Sequence, residues 1–269
     1  MMVIFDNIIF NLQIRGGISL YWSELVKRSK HLDAVSVKFR YSDNIFVQKE
    51  EIENTRTLYF TNSVLLERIR KFRALSNERA IFHSSYYRIS KSDRHINIVT
   101  VHDFTHELVV KKTLKSRFLS YQKKRAIRKA QGIICISENT KADLFSLFPE
   151  VDPTRVQVIY NGKQEPAQVN PALQLTFSLP AKYFLFVGSR AEYKNAFHAF
   201  ALLRKMQGLK LVIVSGGELT ESEIECLGDD VSRVCLAGDV SGEELTFLYQ
   251  NAMFLFHPSE YEGFGITVV

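Results

Sequence analysis

The chain is poor in the features that would set it in a membrane or an oxidising compartment. Its 269 residues hold three cysteines, Cys135, Cys226 and Cys235, far apart and odd in number. None forms a Cys-x-x-Cys pair, so neither a zinc site nor a disulfide framework is suggested, and a reducing cytosol fits best. No apolar run approaches the roughly 20 residues of a membrane span. The N-terminus, Met-Met-Val-Ile-Phe-Asp, has neither a basic leader nor a long apolar stretch, so a cytoplasmic chain without an export signal is expected. Gly-x-Gly-x-x-Gly is absent as well, which disfavours a dehydrogenase, and no grouping of ligand side chains argues for a metal.

What the chain does have is alternation. Hydrophobic residues make up 46% of it, enough for one large or two ordinary domains with cores of their own. Residues 3–5, 35–40, 58–60, 81–83 and 98–101 are short apolar runs separated by helical or polar stretches, the pattern of a mostly parallel α/β sheet. Residues 132–137 form a continuous apolar strand, and Ser137 is placed to cap a helix over 138–147. A further strand over 156–162 ends in Asn-Gly, and the polar, Pro-bearing stretch after it has no period. A domain over 1–165, a linker over 166–180 and a second α/β domain over 181–269 are therefore expected. In the second domain 182–188, 209–215, 233–237 and 252–256 read as strands. Thr220-Glu-Ser-Glu223 and Ser241-Gly-Glu-Glu244 match the capping box that starts a helix.

Ligands of open α/β sheets sit outside the carboxyl ends of the strands, so the residues just past those ends are the candidates. Arg15-Gly16-Gly17-Ile18 opens an amphipathic helix over 19–29; paired glycines let a ligand approach backbone N–H groups, though a plain tight turn has the same sequence. His83 and His102 each end a strand and would face a common crevice, with His83 also reading as a satisfied structural histidine. Gly188-Ser-Arg190 is followed by Lys194-Asn195 at the mouth of a helix over 196–206. Two cations four residues apart beside a helix N-terminus suit a diphosphate. The last stretch reads as a buried strand over 253–256, a polar turn over 257–259 and a glycine-flanked loop carrying Glu262, which is either a site acid or a solvated one.

The formal charge of +6 is unevenly spread, with nine Lys or Arg and no acid over 111–129. That suits an anionic surface better than nucleic-acid readout. A helix over 113–130 carries Leu114, Phe118, Tyr121 and Ile127 as a broken apolar stripe among the cations. It is either a solvated charged helix or one that docks on anionic lipid.

Ser-Glu-Tyr-Glu262-Gly263-Phe264-Gly265-Ile closely resembles the motif of the family 4 retaining glycosyltransferases. The same order of weaker motifs runs through almost the whole chain: the glycine pair, Val-His102-Asp103, Ser-Glu-Asn-Thr, Val-Ile-Tyr-Asn-Gly and Gly188-Ser-Arg190 with Lys194-Asn195. The resemblance implies two Rossmann-like lobes (the GT-B fold), with a donor nucleotide held mainly by the second and an acceptor by the first. It implies that a hexose moves with retention from a nucleotide-diphosphate sugar, GDP-mannose among the candidates, to a glycan or lipid-linked acceptor in surface polysaccharide synthesis such as that of lipopolysaccharide. It further implies that His102, Asp103 and Glu262 serve the reaction and that Gly16, Gly17, Gly188, Arg190, Lys194, Asn195, Gly263, Phe264 and Gly265 hold the donor. Neither metal nor nucleic acid has a part, and the nucleotide sugar is substrate rather than cofactor. The family's second Glu, eight residues after the first, would fall just past Val269, so the second lobe is expected to be incomplete and weak in donor binding. The alternatives are a donor-binding remnant without turnover, or a non-hydrolysing epimerase, which needs more acids and histidines grouped together.

Overall fold

Seven parallel strands form the larger sheet: β1 (Met2–Asp6), β2 (Ala34–Lys38), β3 (Thr55–Tyr59), β4 (Ala80–Ser84), β5 (His95–Val101), β6 (Gly132–Cys135) and β7 (Val156–Val158). Their spatial order is β3-β2-β1-β4-β5-β6-β7. The chain thus builds outward from β1 in one direction and then returns to continue from β4 in the other. The switch lies between β1 and β4, where Phe5 pairs with His83 and Asp6 with Ser84; this is where open sheets leave a crevice. The computed structural model describes residues 1–29, 31–47, 55–73, 78–162 and 166–268, and they divide into two compact units, Met1–Asn161 and Gly162–Val269.

Strand alternation decides what each face of the first sheet packs against. Ile4 and Phe82 join Val35, Val37 and Phe72 on one face. Phe5 turns to the other, against Trp22 and Val26 of α1 (Gly17–Arg28). The buried positions of α1 are Ser19, Trp22, Ser23 and Val26, the three-four spacing of one helix face. Further helices are α2 (Val64–Ile69), α3 (Thr105–Leu108), α4 (Leu114–Lys129) and α5 (Glu138–Leu147). Ser137 caps α5 through Thr140 N–H, as expected. Thr113 and Ser116 cap α4 reciprocally. The apolar stripe foreseen on α4 splits in two. Leu114, Phe118 and Tyr121 are exposed, whereas Ile127 is fully buried with Leu119 and Ala126, because six residues past Tyr121 is well off the same face at 3.6 residues per turn.

The second unit repeats the pattern on a smaller scale: β8 (Tyr183–Val187), α6 (Ala196–Lys205), β9 (Lys210–Val214), α7 (Glu221–Leu227), β10 (Val234–Gly238) and α8 (Gly242–Asn251). Three parallel strands run β10-β9-β8. Phe184 and Phe186 pack with Phe200 and Leu203 of α6 and Leu227 of α7. Tyr183 and Leu185 turn to the opposite face, against Leu248 of α8. Both expected capping boxes form, Thr220 with Glu223 and Ser241 with Glu244. Residues 166–180 also pack on this unit, through Phe177 and Leu179 and through Asn170 N–H to Glu243. The stretch expected as a strand over 253–256 lies parallel to β8, with Leu255 bridging Leu185 and backbone bonds from Met253 N–H to the Tyr183 carbonyl, Leu185 N–H to the Phe254 carbonyl and Phe256 N–H to the Leu185 carbonyl. Met253 is 64% exposed, so the run is apolar without being buried along its length.

A buried ion triad closes the switch point. Arg88 lies in the crossover after β4 and is 3% exposed. It donates to Asp6 Oδ1 at 3.0 Å and to Glu67 Oε2 at 2.6 Å, with its guanidinium over Phe60 and Phe72. Burial raises the Asp6 pKa, outweighing the opposing pull of Arg88. Removing the cation leaves two buried carboxylates unpaired, so Arg88→Met should destabilise the first unit by about 3–5 kcal/mol in urea unfolding. Adding Asp6→Asn and Glu67→Gln should restore most of that loss. If Arg88→Met unfolds at the unchanged urea midpoint, the triad does not hold this region.

Candidate functional site

In the first unit the glycine pair stands where expected, Gly16 as the N-cap and Gly17 as the first residue of α1. One turn further, α1 presents Tyr21 and Trp22 to the ends of β4 and β5. The Trp22 ring meets His83 edge-on at 4.8 Å, and the Tyr21 ring meets His102 edge-on at 5.0 Å. Trp22 donates its indole N–H to Asn7, which donates in turn to Ser36. His83 Nε2 lies 2.9 Å from Thr100 Oγ1, which also bonds the Tyr21 hydroxyl. His83 is therefore a satisfied structural histidine.

His102 is different. It is 7% exposed, and its Nε2 is buried without a hydrogen-bond partner. Its backbone bonds the hydroxyl of Tyr87, a residue held at positive φ (53°). Burial pulls the His102 pKa down to about 4, with Asp103 opposing and Lys123 assisting. Burial, assisted by His102, takes His83 to about 3. Both imidazoles are neutral at pH 7. Asp103 caps the following turn by accepting from Thr105 N–H at 3.2 Å. Next to it, buried Lys123 donates to the Asp103 carbonyl at 2.9 Å and to Glu107 at 2.7 Å.

In the second unit the strand ends converge. Gly188 follows β8 at φ +127°, a conformation side chains avoid. Arg190 then turns toward the loop after β9. Its Nε donates to Glu223 at 2.8 Å and its terminal nitrogens to the carbonyls of Gly217 and Glu218. That loop wraps the guanidinium by three successive positive-φ residues, Ser215, Gly216 and Gly217. A Cβ on Gly216 would lie 2.8 Å from an Arg190 nitrogen. Glu223 is the capping-box acid of α7, with its other oxygen 2.8 Å from Thr220 N. Burial alone would raise its pKa, but hydrogen bonds from Arg190 and Thr220 bring it below the ordinary value. Arginine has five N–H donors. Three are used here, and one on each terminal nitrogen remains.

Lys194 ends a short 3-10 turn and forms an ion pair with the Glu262 carboxylate. His257 Nε2 lies 3.2 Å from the same carboxylate, and its Nδ1 lies 3.2 Å from Thr267 Oγ1. Asn195, in the left-handed region at φ 54°, donates to the Pro258 carbonyl at 3.1 Å, and Glu260 N–H bonds the Tyr193 carbonyl at 2.9 Å. The loop after β8 and the loop carrying Glu262 are thereby laced together, with Gly263, Phe264 and Gly265 completing the turn. Lys194, Asn195 and Glu262 are brought into one cluster; Arg190 is anchored to the β9–α7 loop, and His102 and Asp103 belong to the first unit. Tyr21 entered the sequence reading only with Trp22, as part of the glycine-loop resemblance; Thr100, Glu223 and His257 escaped it. Only Glu223 carried a signal, as a capping-box acid, and nothing in that motif reveals its arginine. Among the described residues no three His, Cys, Asp or Glu side chains group as a metal site.

The profile of Glycosyltransferase Family 4 matches residues 53–163, and that of Glycosyl transferases group 1 matches residues 174–269. The chain belongs to the family 4, group 1 glycosyltransferases. It is 27% identical over 176 residues to the O-antigen chain mannosyltransferase RfbU of Salmonella typhimurium, a match covering 64% of this chain and 48% of that one. The chain thus spans about half the length of the curated relative it matches. Among solved structures it resembles sucrose-phosphate synthase of Thermosynechococcus elongatus, with TM-score 0.68 and 15% identity over 99% of this chain and 77% of the other. It also resembles HepE of Anabaena in complex with UDP and glucose, with TM-score 0.64 and 14% identity over 100% and 77%. These likenesses identify the fold as GT-B.

The neutral histidines have a consequence for stability. Their folded pKa values, about 3 and about 4, lie below the roughly 6.5 of an unfolded histidine. The unfolded chain therefore binds more protons below pH 6.5, and stability must fall as pH drops from about 6.5 toward 4. The slope is about 1.4 kcal/mol per pH unit for each group. In urea unfolding from pH 7 to 4.5, His102→Gln should flatten the dependence by one such increment; an unchanged slope would exclude a buried neutral His102.

Proposed function

We propose that this glycosyltransferase moves a hexose from a nucleotide-diphosphate sugar to a glycan or lipid-linked acceptor in the synthesis of an O-antigen-like surface polysaccharide, with retention at the anomeric carbon. The observation that carries the reading is the Lys194–Glu262 pair, a cation and an acid held together at neighbouring loop ends of the nucleotide-binding type of sheet. The similarity to an O-antigen mannosyltransferase supports the polysaccharide context and makes mannose the first donor sugar to test.

The chemistry follows from charge. Departure of a nucleoside diphosphate builds negative charge on the leaving oxygen, and preorganised cations lower that barrier. Lys194 supplies one. Arg190, with its fork fixed by Glu223 and two carbonyls, supplies the remaining N–H groups. The ring left behind resembles an oxocarbenium ion, which a nearby carboxylate such as Glu262 favours. Before donor arrives Lys194 and Glu262 neutralise each other. Donor binding exchanges their partners, phosphate oxygens for Lys194 and sugar hydroxyls for Glu262. His102, neutral and with Nε2 unpartnered, can bond a hydroxyl without bringing a positive charge to it.

The acceptor end of the reaction belongs at a membrane surface if the acceptor is lipid-linked. No described helix is long and apolar enough to cross a membrane. The exposed Leu114, Phe118 and Tyr121 of α4 lie among exposed Lys111, Lys112, Lys115, Arg117 and Lys124, which supports peripheral contact with anionic lipid.

Two measurements test this. Lys194→Ala should lower turnover of a nucleotide-diphosphate hexose by about 10²-fold or more; unchanged turnover together with unchanged nucleotide affinity would remove Lys194 from the site. The chain should co-sediment with anionic vesicles at low salt and release as salt rises, each surface cation contributing about 1 kcal/mol. Equal binding to neutral vesicles would leave α4 as a solvated helix.

A further inference from the structure

The cations over 111–129 do not share one environment. Of the nine, Lys123 alone is buried, at 2% exposure. An ammonium is taken out of water only where its charge and its N–H groups are met. Lys123 Nζ donates to Glu107 Oε2 at 2.7 Å and to the Asp103 carbonyl at 2.9 Å, and it lies 4.9 Å from the Phe104 ring and 5.6 Å from the Tyr87 ring. The Asp103 carboxylate, at 3.9 Å, is past hydrogen-bond reach and contributes charge alone. All of these partners lie on residue 87 or on residues 103–107, the segments that follow β4 and β5. The ammonium of α4 is therefore buried against the turn that carries His102.

That turn has few other directional ties. β5 ends at Val101, so the Asp103 carbonyl lies past the sheet ladder, and among the described residues Lys123 is its hydrogen-bond donor. α3 is four residues long and its N-cap, Phe104, makes no side-chain cap; helices so short do not hold by themselves. Phe104 is fully buried and keeps the turn in the core, but apolar packing is non-directional. Direction comes from the Tyr87 hydroxyl on the His102 backbone and from Lys123 on the carbonyl one residue further. Because the ammonium also lies over the Tyr87 ring, both ties meet at Lys123.

We propose that Lys123 is a positioning residue for the transfer reaction, clamping the Asp103 carbonyl so that the adjacent His102 imidazole stands where it does, edge-on to Tyr21. The proposal rests on the role given to His102 above. A charge pair with Glu107 and nothing more would be a structural role. The two roles separate by experiment, because matched apolar side chains can replace the pair but cannot donate to the carbonyl.

The test uses the full chain. Lys123→Met leaves Glu107 buried without its cation and should lower the urea midpoint. Lys123→Met/Glu107→Met removes both charges, and since apolar replacement of a buried pair is often neutral or stabilising, it should regain that midpoint. In the double variant kcat for hexose transfer should nevertheless stay lowered about tenfold or more, as displacement of a positioned group does, while donor affinity is unchanged. The magnetisation transfer between the Tyr21 and His102 rings, read by NMR without substrate, should weaken in the same variant. Arg128→Gln, which removes the exposed α4 pair with Glu150, should alter none of these. If Lys123→Met fails to fold, the double variant carries the test alone. Wild-type kcat in the double variant, or an unchanged Tyr21–His102 ring contact, overturns the assignment. A wild-type chain that transfers no hexose from any nucleotide-diphosphate sugar speaks against the transfer reading instead, and the ring contact then decides whether Lys123 positions His102.

Discussion

The first unit depends on one arginine having been taken out of water between two acids. Arg88 belongs to a crossover that passes over the ends of β1 and β4, a place where loop backbone would ordinarily be free to wander. Desolvating a guanidinium is costly unless its charge and its donors are met, so the crossover has one low-energy position, the one that brings Asp6, Glu67 and the Arg70 carbonyl to it. Tyr87, one residue earlier, sits at positive φ with its hydroxyl on the His102 backbone. The depressed pKa of His102 comes from its burial, with Lys123 assisting.

The second unit uses the same logic with a different loop. Arg190 is met by Glu223 and by two carbonyls of a loop bent through three left-handed residues. Because Glu223 also caps α7, the start of that helix and the orientation of the arginine are one structural fact. A substitution there moves both, and a loss of donor affinity at Glu223 would say as much about the helix as about the charge.

Much of this was legible in the order of residues. Alternating apolar runs located all ten strands to within a few positions, because burial on both faces of a parallel sheet leaves a hydrophobic run that polar turns punctuate. Capping boxes located α7 and α8, since the motif is local and its partners lie three residues apart. Residues 253–256 are as apolar as any strand and do pair beside β8, through three backbone hydrogen bonds around a single bridge. The misreadings arose where the deciding partner is distant in sequence. Ile127 looked like part of an exposed stripe until the other helix face was known to pack on the sheet. Arg88 and His257 carry no local signature and Glu223 only that of a capping box, and their roles come from partners 82, 5 and 33 positions away.

The pairing of Lys194 with Glu262 bears on how the enzyme would empty itself. A pocket that already contains its own counter-ion is a poor trap for stray anions, since any phosphate entering must first strip the ammonium of a carboxylate. On the proposed reading, a complete donor would compensate by giving the displaced carboxylate hydroxyls to bind. The nucleoside diphosphate left after transfer has lost the sugar and can no longer do so. On the proposed reading, re-formation of the Lys194–Glu262 pair then competes directly with the spent nucleotide, and the same contact that keeps the resting site quiet hastens product departure and the next turnover.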